Sequence, residues 1–316
     1  MTYHLFGIYL AAGGALTLLL MALTSRKLAL PRGSVALFGA VGLPLAFLCA
    51  RLVYCLADIG YYTVTIAQPV RMLYFWDGGY SLFGACLGLA LAALITARFT
   101  KGSFGALADS LFSFLWAFVI LERLGEAHTL LGLGREVQTE WMREMAFFAV
   151  EDSSGYLCHA VYRYEAVIAL IGLIISLALV FGKKTRAWPK GDLALIAISF
   201  YGCAQVVLES MRDDGHMVWG FIRANQLFAV FLPVAALVVF TVRGIKQKGK
   251  ITKEPIFCWV LGAAAIALGI IKEFDVDTST NLWIDYGVMS LSMVMLYASV
   301  WAAHLWERKN AGNYPL

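Results

Sequence analysis

Charged residues are scarce in this sequence: Asp, Glu, Lys and Arg make up only 15% of its 316 residues, whereas 60% are hydrophobic. A soluble domain does not need that balance, and the composition is typical of a membrane protein. The apolar runs are continuous, without the alternation of polar and apolar residues that transmembrane β-strands show. We therefore expect an all-α, polytopic integral membrane bundle.

The cysteines lack the spacing that predicts a metal site or a disulfide framework. None of the six belongs to a Cys-x-x-Cys pair, and all except Cys158 lie in apolar segments. We therefore expect neither a metal nor another cofactor. The formal net charge of +4 reflects basic residues that orient a membrane protein in the bilayer, so we expect no nucleic-acid partner.

About nine apolar stretches have the roughly 17–24 residues that a membrane span requires. Basic residues collect in the connections after the first, third, fifth and seventh stretches and at the end of the chain. The positive-inside rule makes that side cytoplasmic, with the N-terminus outside and the C-terminus cytoplasmic. The predicted spans are residues 5–24, 34–57, 80–98, 105–122, 166–182, 192–209, 222–242, 256–271 and 282–303.

Two connections on the predicted outer side are long. The first, about residues 58–79, is rich in aromatic residues. The second, about residues 126–163, mixes charged and apolar residues and predicts a small helical extracytoplasmic cap at the membrane surface. We divide the chain into a transmembrane core with this cap, residues 1–245, and an additional C-terminal hairpin, residues 254–310.

The few ionisable residues of the spans lie near ends that are predicted to face outward. Such groups are costly at membrane depth and by default mark a polar cavity or pathway. Their gathering on one side predicts a reaction centre close to the outer membrane surface. These residues are Arg51, Glu122, Arg123, Glu209 and Arg223.

Five short blocks of sequence follow one another on this predicted outer side. They are Ala50–Tyr54; Trp76–Ser81, followed by Gly84 and Gly88; Arg123–Gly125 with Gly134 and Arg135; His159 with Tyr164 and Glu165; and Glu209 with Arg212, Asp213 and Gln226. In order, spacing and position these blocks resemble the phosphatidylglycerol–prolipoprotein diacylglyceryl transferase family. The resemblance covers roughly the first 235 residues.

The resemblance implies transfer of a diacylglyceryl group from phosphatidylglycerol to the lipobox cysteine of a prolipoprotein signal peptide, at the outer face of the bacterial cytoplasmic membrane. That reaction needs a cavity open to the lipid bilayer, cations that hold the departing phosphate, and a base or positive field that favours the cysteine thiolate. The implied phosphate ligand is Arg123. The implied substrate-binding residues are Arg51, Trp76, Asp77, Gly78, Gly79, Ser81, Gly84, Gly134, Arg135, His159, Tyr164, Glu165, Glu209 and Arg212.

Several positions depart from the family pattern. Phe83 stands where the family has a histidine, Glu126 where it has an asparagine, and Gln205 where it has a second arginine. The usual base and one phosphate ligand are therefore missing. His128 and Glu126 are the candidate proton acceptors, and we group both with Arg123 as catalytic.

Each assignment has a structural alternative. Arg123 would instead pair with a neighbouring carboxylate, Arg51 would extend to the interface or pair with Asp58, and Glu209 would pair with Arg212 three residues later. The departures also allow a second function, that of a divergent paralogue which binds phospholipid or lipoprotein without the standard reaction. A solute transporter fits less well, because the spans show no inverted repeat.

Overall fold

The computed structural model describes residues 3–129, 131–213, 218–219, 222–276, 279 and 281–310. Helices dominate this part of the chain, and two small hairpins of strands accompany them. The helices are α1 (Tyr3–Thr24), α2 (Ser34–Ala57), α3 (Leu82–Thr100), α4 (Phe104–Gly125), α5 (Glu140–Glu144), α6 (Val161–Phe181), α7 (Asp192–Met211), α8 (Ala224–Lys248), α9 (Lys253–Val276) and α10 (Leu282–Asn310). The strands are β1 (Ala149–Glu151), β2 (Leu157–His159), β3 (Val218–Trp219) and β4 (Ile222–Arg223).

Nine of the described helices, all except α5, are long and apolar enough to cross a membrane. Each overlaps one predicted span, so the expected helical membrane bundle is confirmed. The largest differences at single ends are at the carboxyl ends of α8 and α10, which extend past the predicted residues 242 and 303. Those ends carry charged residues that find partners in the bundle: Arg243 of α8 pairs with Asp192, and Arg308 of α10 donates to the carbonyl oxygen of Ala187.

The spans pack as neighbours around α4 and α7, which are the most buried of them. Consecutive pairs lie side by side: α2 with α3, α7 with α8, and α9 with α10, while α1 packs on α4. Small residues allow close approach of the backbones. On α3, a Cβ atom at Gly84 would lie 2.5 Å from the carbonyl oxygen of Cys49 on α2. Larger apolar side chains such as Leu23 and Leu43 point outward, as lipid-facing residues do.

One carboxylate of α4 fixes the start of α7. Asp109 is 5% exposed, and its two oxygens accept hydrogen bonds from the backbone N–H groups of Gly191 at 2.8 Å and Ala194 at 2.9 Å. It thus caps a helix that is distant in sequence, because those N–H groups have no partner within α7. This contact lies at the end of the bundle where the Lys- and Arg-rich connections join the helices, here named the basic end.

The connection between residues 126 and 163 is only partly helical. It contains a short 3₁₀ helix, Glu126–His128, the five-residue α5, and the antiparallel pair β1–β2, in which Ala149 faces His159. The β-turn between the strands explains the difference. The Asp152 carboxylate accepts hydrogen bonds from the N–H groups of Ser154 and Tyr156. This turn reverses the chain, so the segment forms a hairpin and not a helix.

Candidate functional site

Two arginines and two glutamates form a closed ring at the end of the bundle opposite the basic end. Arg123 lies 2.7 Å from Glu126 and 2.7 Å from Glu165, and Arg212 lies 3.3 Å from Glu126 and 3.2 Å from Glu165. We name these four residues the ionic ring. All of them are at most 6% exposed. Such buried charges are stable only when paired, and here each charge has two partners of opposite sign.

The ring depends on the meeting of several helix ends. Arg123 occupies the last turn of α4, Glu126 follows it in the 3₁₀ helix, Glu165 lies near the start of α6, and Arg212 follows the last residue of α7. The positions of Arg123, Glu165 and Arg212 suit the dipoles of the long helices, which favour cations at the carboxyl end and anions at the amino end. Glu126 follows the carboxyl end of α4 and depends on its two arginines instead. The ring therefore joins three helices that are separate in sequence.

Further polar side chains extend the ring along α7 and α8. Gln205 donates hydrogen bonds from its amide nitrogen to Glu165 at 3.1 Å and to Glu209 at 3.3 Å, and Asn225 donates to Glu209 at 3.2 Å. Gln205 stands where the family pattern has an arginine. It keeps the hydrogen-bond donor but not the positive charge. With Glu122 beside Arg123 at 3.1 Å, carboxylates outnumber guanidinium groups here.

Some buried polar atoms of this site have no hydrogen-bond partner among the described residues. They are Oε2 of Glu126, the hydroxyl of Tyr201, and Nη1 of Arg223. The other terminal nitrogen of Arg223 donates to the carbonyl oxygen of Arg212 at 2.5 Å, so this third guanidinium lies beside the ring. Buried polar atoms without partners are rare, and each calls for an explanation such as water, an ion or a ligand that supplies the missing contact.

Aromatic side chains cover one side of this region. Phe83 is 8% exposed and contacts the rings of Tyr201 and Phe228 at centroid distances of 5.9 and 5.7 Å. The residue that replaces the family histidine is thus part of an apolar packing contact and offers no proton acceptor.

The second group of predicted residues surrounds Arg51, at the end of α2. Its guanidinium donates to the backbone carbonyl oxygens of Met72 at 3.1 Å, Arg71 at 2.8 Å and Gly79 at 3.3 Å, and also to that of Gly78. Arg51 is 2% exposed. It therefore holds the connection 58–79 against α2 and does not extend to the interface.

A cavity of about 400 Å³ lies within this connection. Gly78 and Gly79 form part of its wall with positive φ angles of 74° and 76°, and a Cβ atom at Gly79 would collide with the ring of Tyr54. We name this cavity the loop pocket. Its lining residues are Tyr54, Asp58, Tyr61, Tyr62, Ile66, Arg71, Asp77, Gly78 and Gly79.

The remaining residues of the glycine-rich block support the loop pocket from outside. The backbone N–H of Ser81 donates to the carbonyl oxygen of Ala50 at 3.1 Å, and its hydroxyl accepts a hydrogen bond from Gly84 N–H at 3.3 Å, which caps α3. Trp76 is 77% exposed and stacks on Tyr74. An exposed tryptophan of this kind is typical of the membrane interface.

The cap residues connect the ionic ring to the C-terminal helices. Gly134 forms an isolated β-bridge with Arg212, and its N–H donates to the carbonyl oxygen of His159 at 2.8 Å. Arg135 donates to the carbonyl oxygen of Val276 at 3.2 Å, at the end of α9. Nothing in the sequence indicates that Arg135 faces this hairpin.

His159 and Tyr164 form a second contact inside the cap. His159 Nδ1 lies 3.0 Å from the hydroxyl of Tyr164, which donates to the carbonyl oxygen of Phe148 at 3.2 Å. Because that hydroxyl uses its own proton, Nδ1 must carry the proton of the His159 contact. Burial lowers the pKa of His159, so its imidazole is neutral at pH 7.

His128 lies against α1. It ends the short 3₁₀ helix that begins at Glu126, it is half-buried, and its ring contacts that of Tyr9 on α1 at 5.5 Å. His128 follows Glu126 of the ionic ring by two residues. Its role as proton acceptor stays a prediction.

The structure thus brings the predicted residues together in two groups and not in one. Arg123, Glu126, Glu165, Glu209 and Arg212 belong to the ionic ring and its extension, whereas Arg51 and the glycine-rich block belong to the loop pocket. Sequence reasoning missed two cations of interest. Arg71 lines the loop pocket, and the signal for it was its place in the aromatic connection. Arg223 was noticed as a charge but given no role.

The chain is similar to known proteins over most of its length. The family model described as prolipoprotein diacylglyceryl transferase matches residues 1–242. The phosphatidylglycerol–prolipoprotein diacylglyceryl transferase of Limosilactobacillus reuteri is 25% identical over 78% of this chain and 89% of its own length. The proteins of the same name from Listeria monocytogenes and Bacillus velezensis are each 24% identical, over 77% and 78% of this chain and 86% and 90% of theirs.

The ionic ring generates a prediction about stability. Replacing Glu165 by Ala leaves two buried guanidinium groups with one ring carboxylate, so the free energy of unfolding should fall by about 3–5 kcal/mol. Thermal melts of the purified protein in detergent measure this. Glu136→Ala removes an exposed glutamate that pairs with Arg143 and should change the melting temperature little. Equal effects of the two substitutions would contradict the structural importance of the ring.

The buried imidazole generates a prediction about pH. Because the pKa of His159 is lowered in the folded protein, the unfolded state binds the proton more strongly, and stability is lost as pH falls below about 6.5. We expect faster hydrogen exchange in β1 and β2 at pH 5 than at pH 7, after correction for intrinsic exchange. His159→Gln should weaken this dependence. An unchanged dependence in that variant would assign it to another group.

Proposed function

The chain belongs to the prolipoprotein diacylglyceryl transferase family, and from that membership we propose that it transfers a diacylglyceryl group from phosphatidylglycerol to the lipobox cysteine of a prolipoprotein. The observation that carries this proposal is the ionic ring with Arg223 beside it, a buried group of cations and carboxylates at one end of a membrane bundle. The C-terminal pair α9–α10 lies beyond the family match. We propose residues 254–310, which hold nearly all of this pair, as an addition to a core of residues 1–245.

The proposed reaction is a substitution at the glycerol carbon that carries the phosphate. The cysteine thiolate attacks this carbon, a sulfur–carbon bond forms, and the carbon–oxygen bond to phosphate breaks. Glycerol phosphate leaves with the bonding electrons, and the thiol proton passes to an acceptor on the protein. The protein therefore has to stabilise negative charge on the leaving phosphate, which positioned cations do most effectively.

We assign this task to Arg123 together with Arg223. Arg123 is held rigidly by three carboxylates, and this favours a fixed position for any anion that approaches its remaining face. Arg223 supplies a terminal nitrogen without a partner among the described residues. It replaces in function the family arginine that is Gln205 in this chain.

The loop pocket is the proposed site for the lipid headgroup. Arg71 and Asp77 give it one cation and one acceptor of hydrogen bonds from glycerol, while Arg51 fixes the backbone of its wall. We propose that this end of the bundle faces outward from a bacterial cytoplasmic membrane, because the basic connections lie at the other end. The N-terminus is then outside and the C-terminus cytoplasmic.

Glu126 is the proposed proton acceptor. Both arginines of the ionic ring contact its Oε1, and Oε2 is buried without a hydrogen-bond partner among the described residues. A Cβ atom at position 132 would collide with this oxygen, so the glycine there leaves it room. The thiol has to reach Oε2 within hydrogen-bond distance.

Transfer activity tests the role of the cations. We expect the purified protein to convert phosphatidylglycerol and a lipobox peptide to a lipidated peptide and glycerol phosphate. Arg123→Gln should lower the rate at least about 100-fold, because it removes a donor to the leaving phosphate. Arg223→Gln should lower kcat/KM by about tenfold, as expected for loss of roughly 1.4 kcal/mol of transition-state binding. Mass spectrometry of the peptide measures both.

Arg143→Gln is the matched control, because this exposed arginine of the cap contacts only cap residues in the contacts described. It should retain full activity. Full activity of folded Arg123→Gln would contradict the assignment. Binding of phosphatidylglycerol by the unmodified protein without any transfer would instead support the catalytically divergent paralogue.

The proton acceptor is tested by isosteric variants in the same assay. Glu126→Gln keeps an oxygen for the arginines and should lower the rate by about 10²–10⁴-fold, whereas His128→Gln should have a far smaller effect. The deficit of Glu126→Gln should shrink above about pH 8.5, where the thiol loses its proton without help. A larger loss in His128→Gln would assign the proton to that histidine.

A further inference from the structure

A second cluster of buried ionisable side chains lies at the basic end, away from the ionic ring. His304 and Glu307 of α10 meet Asp192, the first residue of α7. All three are at most 1% exposed, and one ligand-type atom from each lies within 4.8 Å of the other two. We name Asp192, His304 and Glu307 the inner cluster.

The inner cluster contains buried polar atoms that face one another without hydrogen-bond partners among the described residues. They are Oδ2 of Asp192, Oε2 of Glu307 and both ring nitrogens of His304. The ring of His304 is enclosed by Trp188 and Phe240, at centroid distances of 4.6 and 4.9 Å. Apolar walls supply no hydrogen bonds, so these nitrogens need another partner.

The other carboxylate oxygens are directed to an arginine. Arg243 lies 2.6 Å from Oδ1 of Asp192 and 4.0 Å from Oε1 of Glu307. One oxygen of each carboxylate thus faces Arg243, and the second oxygen of Asp192 faces Nδ1 of His304. This division of roles is the one that ligands of a metal show, with an outer contact fixing the oxygen that does not bind.

The distance between His304 and Asp192 also fits a metal ion. Nδ1 of His304 lies 3.4 Å from Oδ2 of Asp192, long for a strong hydrogen bond. Two ligands about 2.0–2.1 Å from a tetrahedral Zn²⁺ are separated by about 3.3–3.4 Å. A proton on Nδ1 would provide a hydrogen bond to Oδ2 of Asp192 only. The second ring nitrogen of His304 and Oε2 of Glu307 would still lack hydrogen-bond partners among the described residues.

We propose that Asp192, His304 and Glu307 bind a divalent transition-metal ion of the Zn²⁺ type that fastens the C-terminal hairpin to the rest of the bundle. Asp192 lies within the family match, which ends at residue 242, whereas His304 and Glu307 lie beyond it. The ion joins the additional helices to α7. It takes no part in the proposed transfer reaction, which belongs to the opposite end.

Metal binding by the full-length protein tests this proposal. Protein without a histidine tag is stripped with a chelator in detergent and titrated with Zn²⁺ against a chromophoric competitor. We expect one equivalent to bind and the melting temperature to rise with Zn²⁺. His304→Gln and Glu307→Gln should each weaken binding at least about 100-fold, because each removes a direct ligand.

Asp285→Asn is the matched control, since Asp285 is a buried acid of the same helix that pairs with Lys272. It should bind Zn²⁺ as the unmodified protein does. No saturable uptake would overturn the proposal and leave an ion-pair network, and uptake that survives both ligand substitutions would place the ion elsewhere. If those variants do not fold, Co²⁺ added to the unmodified protein decides: the intense visible bands of four-coordinate Co²⁺ support the site, and their absence contradicts it.

Discussion

Mutual neutralisation of two arginines and two glutamates is the interaction on which one end of this bundle depends. None of the four charges is stable alone at its depth, and each becomes so through contacts from other helices. The same constraint that holds α4, α6 and α7 together also fixes the direction of Arg123. Stability and the proposed phosphate contact therefore use different faces of the same guanidinium, and the proposed function of Arg123 does not compete with its structural role.

Most of the fold could be predicted from the sequence, because membrane spans are set by one dominant property. A continuous apolar stretch of sufficient length has to become a helix, since lipid satisfies no backbone hydrogen bonds. The cap was harder to predict. Its strands are three residues long and depend on the Asp152 turn and on pairing with Gly134 and Arg135. The pattern of hydrophobic residues does not indicate such contacts.

The sequence could predict part of the membership of the candidate site but not its pairing, and the roles of its residues stay predictions. Motif order identified Arg123, Glu165 and Arg212, which do meet. Motif order could not show that Arg51 donates to the backbone carbonyl oxygens of Arg71 and Met72, about 20 residues later. The hydrophobic period of a helix does not predict how a distant connection folds back onto it. The inner cluster left no sign in the sequence, since Asp192 and His304 are more than 100 residues apart. Only the docking of α10 on α7 brings them together.

The arrangement of Arg51 has an electrostatic consequence for approaching lipids. Its partners in the connection are neutral peptide groups, which satisfy the geometry of a guanidinium while leaving its formal charge uncompensated. Salt screens this charge little because it is buried, but the loop pocket in front of it also contains the carboxylates of Asp58 and Asp77 beside Arg71. Under the proposed assignment of the loop pocket to the lipid headgroup, the cations attract the phosphate and the carboxylates accept hydrogen bonds from hydroxyl groups, so both the charge and the hydroxyl groups of a headgroup would contribute to its recognition.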